Sequence, residues 1–80
     1  MSAVLENELV VDAVGQFCPM PIIKLSQAIG LIPIGRTLQL LATDAGSWHD
    51  VPAWARQTTH ELVHSEKDGK VFTYTVKRTH

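Results

Sequence analysis

Gln16-Phe17-Cys18-Pro19-Met20-Pro21-Ile22-Ile23-Lys24 is the stretch that decides how this 80-residue chain is organised, and it contains the single cysteine. A strand-like run at 9–13 precedes it, with Gly15 between them as a natural turn residue. Apolar residues at helical spacing follow it, namely Ile22, Leu25, Ala28 and Ile29. We therefore place Cys18 at a strand-to-helix junction, where the helix begins.

The prolines after the cysteine suit only one part of a helix. Proline lacks a main-chain N–H, and the first helical turn does not need it, because the N–H groups there have no intrahelical partner. Pro19 and Pro21 are therefore predicted to lie in the first turn, with Cys18 at or near the N-cap. Each proline also fixes its own φ angle, so we expect the thiol to sit on a rigid segment.

This placement predicts a reactive thiol. Helix N-termini and nearby cations lower the pKa of a cysteine, and Lys24 follows a short way along the same helix. The thiolate is the nucleophile and the form that would carry a transferred sulfur atom. An inert, buried cysteine that fills core space is equally compatible with the residues alone.

The spacing Gly15-x-x-Cys18-Pro19-x-Pro21, preceded by Val11-Asp12, resembles the signature of the TusA/SirA/YedF family of small sulfur-carrier proteins. Three further matches fall at the expected distances: Gly35 before a strand at 37–43, Asp44 at the end of that strand, and Asp50-Val51-Pro52 in place of an Asp-Ile-Pro motif in the second helix. The resemblance covers residues 9–78.

The resemblance implies a persulfide-carrying sulfurtransferase without a cofactor. In the family, the cysteine that matches Cys18 accepts a sulfane sulfur from a donor protein and passes it to an acceptor protein. Donors include cysteine desulfurases and rhodanese-like proteins. Acceptors belong to tRNA-thiolation relays, molybdenum-cofactor supply and sulfur oxidation.

Two other functions stay open on the residues. One is a non-catalytic regulatory or protein-interaction module, in which Cys-Pro-x-Pro is only a helix start. The other, weaker hypothesis is a redox sensor that forms mixed disulfides, because the cysteine has no internal resolving partner.

Length and composition predict one domain over residues 1–80, since 45% hydrophobic residues suffice for a compact core. A net charge of -1 argues against direct nucleic-acid binding. A lone cysteine fits a reducing compartment. Residues 1–7 lack a signal-peptide pattern, and no apolar run approaches the roughly 20 residues that span a bilayer. We expect a soluble cytoplasmic protein with no membrane partner.

Periodicity predicts the order β-α-β-α-β-β, with strands at 8–13, 36–43, 61–66 and 70–78 and helices at 18–31 and from Ser47 to 58 or 59. Pro52 suggests that regular hydrogen bonding in the second helix begins only near Asp50, with Ser47 as a possible cap. Leu9-Val10-Val11 suggests a first strand buried on both faces or central in the sheet. This order predicts a two-layer α/β (α+β) sandwich, a four-stranded mixed sheet with both helices on one face.

Several side chains near the cysteine are candidates for supporting it. Asp12 is predicted to accept loop N–H groups in an Asx-type turn, with orientation of the cysteine loop as the alternative. Gly15, Pro19, Pro21 and Lys24 complete this set. Asp50 is assigned to the start of the second helix rather than to catalysis. Phe17 and Met20 predict an apolar docking surface around the thiol.

The four histidines do not predict a metal site. His60 and His64 have a spacing that would place both on one helical face, but here they fall at a helix end and in a strand. Trp48 and Trp54 are predicted to pack in the core or at its rim, with a partner surface as the alternative for Trp48.

Overall fold

The computed structural model describes residues 9–80, which form six elements in the predicted β-α-β-α-β-β order. The strands are β1 (Leu9–Ala13), β2 (Thr37–Ala42), β3 (Glu61–Asp68) and β4 (Val71–Lys77), and the helices are α1 (Met20–Ile29) and α2 (Ser47–Thr58). The first predicted strand residue, Glu8, lies outside the described residues. Within residues 9–80, no helix has the length and apolar character needed to cross a bilayer.

The four strands form one mixed sheet in the order β1-β2-β4-β3. β1 runs parallel to β2, and β4 runs antiparallel to both of its neighbours. The predicted α+β architecture is confirmed, but the predicted central position of β1 is wrong, because β1 is an edge strand. Its Val10 is 51% exposed. A β-branched residue suits either face of a strand, so a short apolar run does not distinguish an edge strand from a central one.

The hydrophobic core lies between the helices and one face of the sheet. Residues facing the core alternate along the strands, as period-two patterning requires, and Phe72, Tyr74 and Val76 share the core face of β4. The helices close the core with Leu25, Ala28 and Ile29 from α1 and with Val51, Trp54 and Ala55 from α2. The Trp54 indole N–H also donates to the Ser26 hydroxyl at 2.9 Å, which joins α2 to α1.

Helix α1 is shorter at both ends than the predicted 18–31. Pro19 is the N-cap and Pro21 lies in the first turn, so both prolines occupy positions where the missing N–H is not needed. The Ile23 N–H donates to the Pro19 carbonyl at 3.0 Å. Cys18 therefore lies one residue before the cap, which agrees with its predicted position at or near the N-cap.

Helix α2 begins at Ser47, and its regular i→i−4 hydrogen bonding begins where Pro52 suggested. Regular hydrogen bonding is already present at Asp50, whose N–H donates to the carbonyl of Gly46, the N-cap, at 3.0 Å. Pro52 lies inside the helix, and burial of the helix face around Val51 offsets the hydrogen bond that proline removes. Ser47 is not a cap: its hydroxyl is buried and lies 2.6 Å from the Tyr74 hydroxyl.

The remaining strand ends differ only slightly from prediction. β2 and β4 are shorter than expected, whereas β3 continues to Asp68 and pairs it with Val71. Gly69 makes this tight hairpin possible with a φ of 63°, a conformation that side chains disfavour.

Tyr74→Phe should lower the free energy of unfolding by about 1–3 kcal/mol, because the Ser47 hydroxyl would remain buried without its partner. Ser47→Ala should cost a similar amount for the reciprocal reason. The double variant should lose less than the sum of the two single losses. Urea unfolding of the four proteins measures this coupling, and strictly additive losses would show that the two hydroxyls do not depend on each other.

Candidate functional site

The loop between β1 and α1 presents Cys18 and is tied to the sheet. The Gln16 N–H donates to the Ala13 carbonyl at 3.1 Å, which closes a turn in which Gly15 has a φ of 80°. A side chain at this position would be strained, so the turn favours glycine. The Gly15 N–H also donates to the Thr43 hydroxyl at 2.8 Å, which fastens the loop to the end of β2. The cysteine follows a segment whose conformation is set by hydrogen bonds.

Asp12 and Lys24 brace the start of this loop. Asp12 Oδ1 accepts the Val14 N–H at 2.9 Å, which confirms the predicted Asx-type turn. Lys24 Nζ donates to the main-chain carbonyl of Asp12 at 2.9 Å, so the ammonium group ties α1 to the end of β1. Lys24 is not among the groups that shift the pKa of Cys18. The hypothesis that Lys24 stabilises a thiolate is therefore not supported.

Cys18 is exposed, and its thiol donates to Asp50 Oδ2 at 3.7 Å. Asp50 lies in the first turn of α2, so the loop before one helix meets the start of the other at the sulfur atom. Sequence reasoning assigned Asp50 to helix stability alone and missed this contact. The only available signal was the match of Asp50-Val51-Pro52 to a family motif.

The surroundings of Cys18 raise its pKa above the ordinary value. The largest cause is partial desolvation of the thiol, followed by the negative charge of Asp50, the hydrogen bond to Asp50 and the negative charge of Asp44. The predicted thiolate-favouring environment is therefore wrong for the resting protein. A helix N-terminus carries only about half a positive charge, and here it is opposed by full carboxylate charges. Cys18 is accordingly a protonated thiol at neutral pH.

The two carboxylates converge on Gly46, the N-cap of α2. A Cβ atom at Gly46 would lie 3.3 Å from Asp44 Oδ2 and 3.7 Å from Asp50 Oδ2. The absence of a side chain therefore leaves room for both carboxylates at the helix N-terminus, where the helix dipole favours negative charge. The two carboxylates that lie near Cys18 therefore also belong to the N-terminus of α2.

Exposed apolar side chains occupy the segment that carries the cysteine. Phe17 is 76% exposed and Met20 is 39% exposed, and Val14 and Ile23 are exposed as well. We call these four residues the apolar collar. Exposed apolar side chains that cluster in this way mark interaction surfaces. The collar agrees with the docking surface predicted from Phe17 and Met20.

Trp48 lies in the first turn of α2, at the rim of the core. It is 43% exposed, and its ring centroid lies 5.7 Å from that of Phe72.

His60 follows α2 and His64 lies in β3, as the sequence predicted. Across residues 9–80, no group of three or more histidine, cysteine or acidic side chains converges as metal ligands would.

The fold and the exposed thiol define a small α+β domain that presents one cysteine at the edge of a mixed sheet. Comparison with known families places it more narrowly. The family described as Sulfurtransferase TusA matches residues 9–78, and the chain belongs to this family.

Individual relatives agree with that assignment. The sulfur carrier protein TusA of Allochromatium vinosum is 37% identical over 68 residues, which cover 85% of this chain and 90% of that protein. YrkF of Bacillus subtilis is 35% identical over 74 residues, 92% of this chain but only 40% of YrkF. The crystal structure of a SirA-like protein from Desulfitobacterium hafniense superposes with a TM-score of 0.76 at 25% identity, covering 90% of this chain and 99% of that one. The resemblance inferred from the cysteine motif is confirmed.

Asp50→Asn should make Cys18 several-fold more reactive at pH 7. The substitution removes the charge that raises the pKa of the thiol, so the thiolate fraction increases at any pH below the wild-type pKa. The measurement is the second-order rate of alkylation by iodoacetamide as a function of pH. The midpoint of the profile should move to lower pH in the variant.

Asp12→Asn is the matched control, because it removes one negative charge near the same loop but retains an oxygen that can accept the Val14 N–H. Its alkylation profile should coincide with that of the wild type. Equal rates for Asp50→Asn and wild type would show that the Asp50 carboxylate does not control the thiol.

Proposed function

We propose that this protein is a sulfur carrier that holds a sulfane sulfur as a persulfide on Cys18 and passes it to a partner protein. The observation that carries the proposal is the placement of Cys18, an exposed thiol on a braced loop whose segment also exposes apolar side chains. Membership of the TusA family supports the same role. Asp12, Gly15, Pro19, Pro21 and Lys24 act as positioning residues for the loop and the helix start.

The loading step is a transfer between sulfur atoms. Cys18 loses its proton, to Asp50 or to solvent, and its sulfur attacks the outer sulfur of the donor's persulfide. A bond forms between Cys18 Sγ and that sulfur, the donor's S–S bond breaks, and the donor's own sulfur leaves as a thiolate. Unloading reverses these roles: an acceptor thiolate attacks the outer sulfur, and Cys18 leaves as a thiolate and is reprotonated. Neither step needs an external oxidant or reductant.

The raised pKa of Cys18 suits a carrier that must wait for its partners. Thiolates are the form that oxidants attack, so a protonated Cys18 resists oxidation between transfers. Attack on a persulfide requires the thiolate. A partner that places a cation against Asp44 and Asp50 would offset their charges and lower the pKa only within the complex. Reactivity is then coupled to docking.

Both partners are proposed to be proteins, namely a cysteine desulfurase or rhodanese-like donor and the acceptor of a sulfur relay. The apolar collar offers them a surface around the thiol, and no deep substrate pocket is needed for such an exchange. A cytoplasmic location, a single domain over residues 1–80 and the absence of nucleic-acid and membrane partners stay predictions of the sequence.

A non-catalytic regulatory or interaction module is the second candidate, and the raised pKa of Cys18 is the observation that favours it. In that case Cys-Pro-x-Pro serves only to start α1, and the apolar collar binds a partner without sulfur exchange.

Intact-mass analysis after incubation with persulfide-loaded donor proteins separates the two candidates. The wild type should gain the mass of one sulfur atom, and a reductant should remove it, because the added atom is held by an S–S bond. Cys18→Ser is the matched variant and should gain nothing. A wild-type protein that gains no sulfur from either a cysteine desulfurase or a rhodanese would contradict the carrier and leave the interaction module.

A further inference from the structure

A groove lies beside the cysteine loop, where β1 and β2 end and the β3–β4 hairpin turns. It has a volume of about 490 Å³, and its walls include Val14, Gly15, Ala45, Lys67, Lys70 and Phe72. An adjoining recess of about 360 Å³ shares Ala45, Lys67 and Phe72 with it and adds Trp48 and His49. Because the two share walls, we treat them as one surface, the basic groove.

The floor of the basic groove is apolar, and two exposed lysines lie on its rim. Phe72 is largely buried and packs against Trp48, which gives the floor an aromatic surface. Lys67 Nζ lies 5.7 Å from the centroid of the Phe72 ring, and Lys70 follows across the hairpin turn. Both lysines are exposed, and across residues 9–80 the ion pair that forms joins His64 to Glu66, not either lysine. Both ammonium groups are therefore available to an external carboxylate.

The basic groove is close enough to Cys18 to fall under any protein that reaches the thiol. Gly15 and Cys18 are three positions apart, which limits the distance between their Cα atoms to about 11 Å. A standard protein–protein interface covers about 800 Å² of each partner, a patch roughly 16 Å in radius. A protein that brings a persulfide onto Cys18 through an interface of standard size centred near the thiol therefore also reaches the groove.

We propose that the basic groove binds an extended segment of the sulfur-donor protein that bears a carboxylate and an apolar side chain. The proposal rests on the proposed function and adds the chemistry of the partner. Lys67 and Lys70 pair with the carboxylate, and Phe72 with Trp48 receives the apolar side chain. The lysines of the groove and the acidic Asp50 beside Cys18 give the docking surface two signs of charge, which would fix the partner's orientation.

Charge reversal at the lysines tests the proposal. The rate of Cys18 loading is measured against the concentration of whichever persulfide-loaded donor, a cysteine desulfurase or a rhodanese, loads the wild type fastest. Lys67→Glu and Lys70→Glu should each raise the half-saturating donor concentration by on the order of tenfold, because a partner carboxylate then meets a like charge. Arg56→Glu is the matched control, since Arg56 is exposed in the last turn of α2 and its reversal leaves the groove unchanged.

Small probes separate docking from thiol chemistry. Iodoacetamide and glutathione persulfide should react with all four proteins at the same rate, because neither needs a partner's segment in the groove. Slower loading of the lysine variants by glutathione persulfide would mean that the groove holds small carboxylates, which overturns the proposal. Wild-type loading kinetics with the donor protein in both lysine variants would overturn it as well.

Amide chemical shifts give an independent readout. Adding unloaded donor protein should shift the Val14, Ala45 and Gly69 resonances of the wild type, and these shifts should shrink in Lys67→Glu. Shifts confined to α1 would contradict docking in the groove. A wild type that no donor loads would remove the carrier function and this proposal together, whereas normal loading with unaffected lysine variants removes only the docking proposal.

Discussion

The hydrogen bond between the Cys18 thiol and Asp50 is the contact on which the site depends, because it joins two elements that are distant in the chain. The parallel pairing of β1 with β2 makes it possible. Parallel strands end at the same edge of a sheet, so the loop after β1 and the helix that follows β2 emerge side by side. The buried Ser47–Tyr74 hydroxyl pair then fixes the start of α2 against β4, and Asp50 with it.

Two opposing electrostatic influences act on the thiol, and their balance sets the pKa of Cys18. The N-terminus of α1 favours a thiolate, but the helix begins beyond Pro19 and its dipole is equivalent to only about half a charge. Asp50 and Asp44 carry full charges and hold the proton on the sulfur. The result is an exposed thiol whose pKa lies above its ordinary value. In the function that we propose, a partner that docks on the basic groove and the apolar collar activates this thiol.

Local patterns predicted most of the fold. Alternation in β4, the Asp68-Gly69 turn and the apolar stripe of α1 each carry enough information in neighbouring residues to assign an element. The edge position of β1 was missed because strand order depends on pairings between distant segments. The charge state of Cys18 was missed for the same reason: Lys24 is nearby in sequence but binds Asp12, whereas Asp50 is remote in sequence and contacts the sulfur. The positions of the cysteine and the prolines indicate where a helix begins, but they do not show which carboxylate contacts the cysteine in the folded protein.

A sulfur carrier must release from Cys18 the sulfur that it accepts. The most direct test loads the protein with radiolabelled sulfane sulfur, purifies it free of donor and mixes it with an acceptor protein whose cysteine is reduced. For a carrier, we expect the label to move to the acceptor cysteine in a single turnover and Cys18 to be recovered as a free thiol. Blocking the acceptor cysteine should abolish the transfer. A label that stays on the chain would contradict the carrier function, because Cys18 would then bind sulfur without passing it on. A label that leaves equally fast when the acceptor cysteine is blocked would contradict it as well.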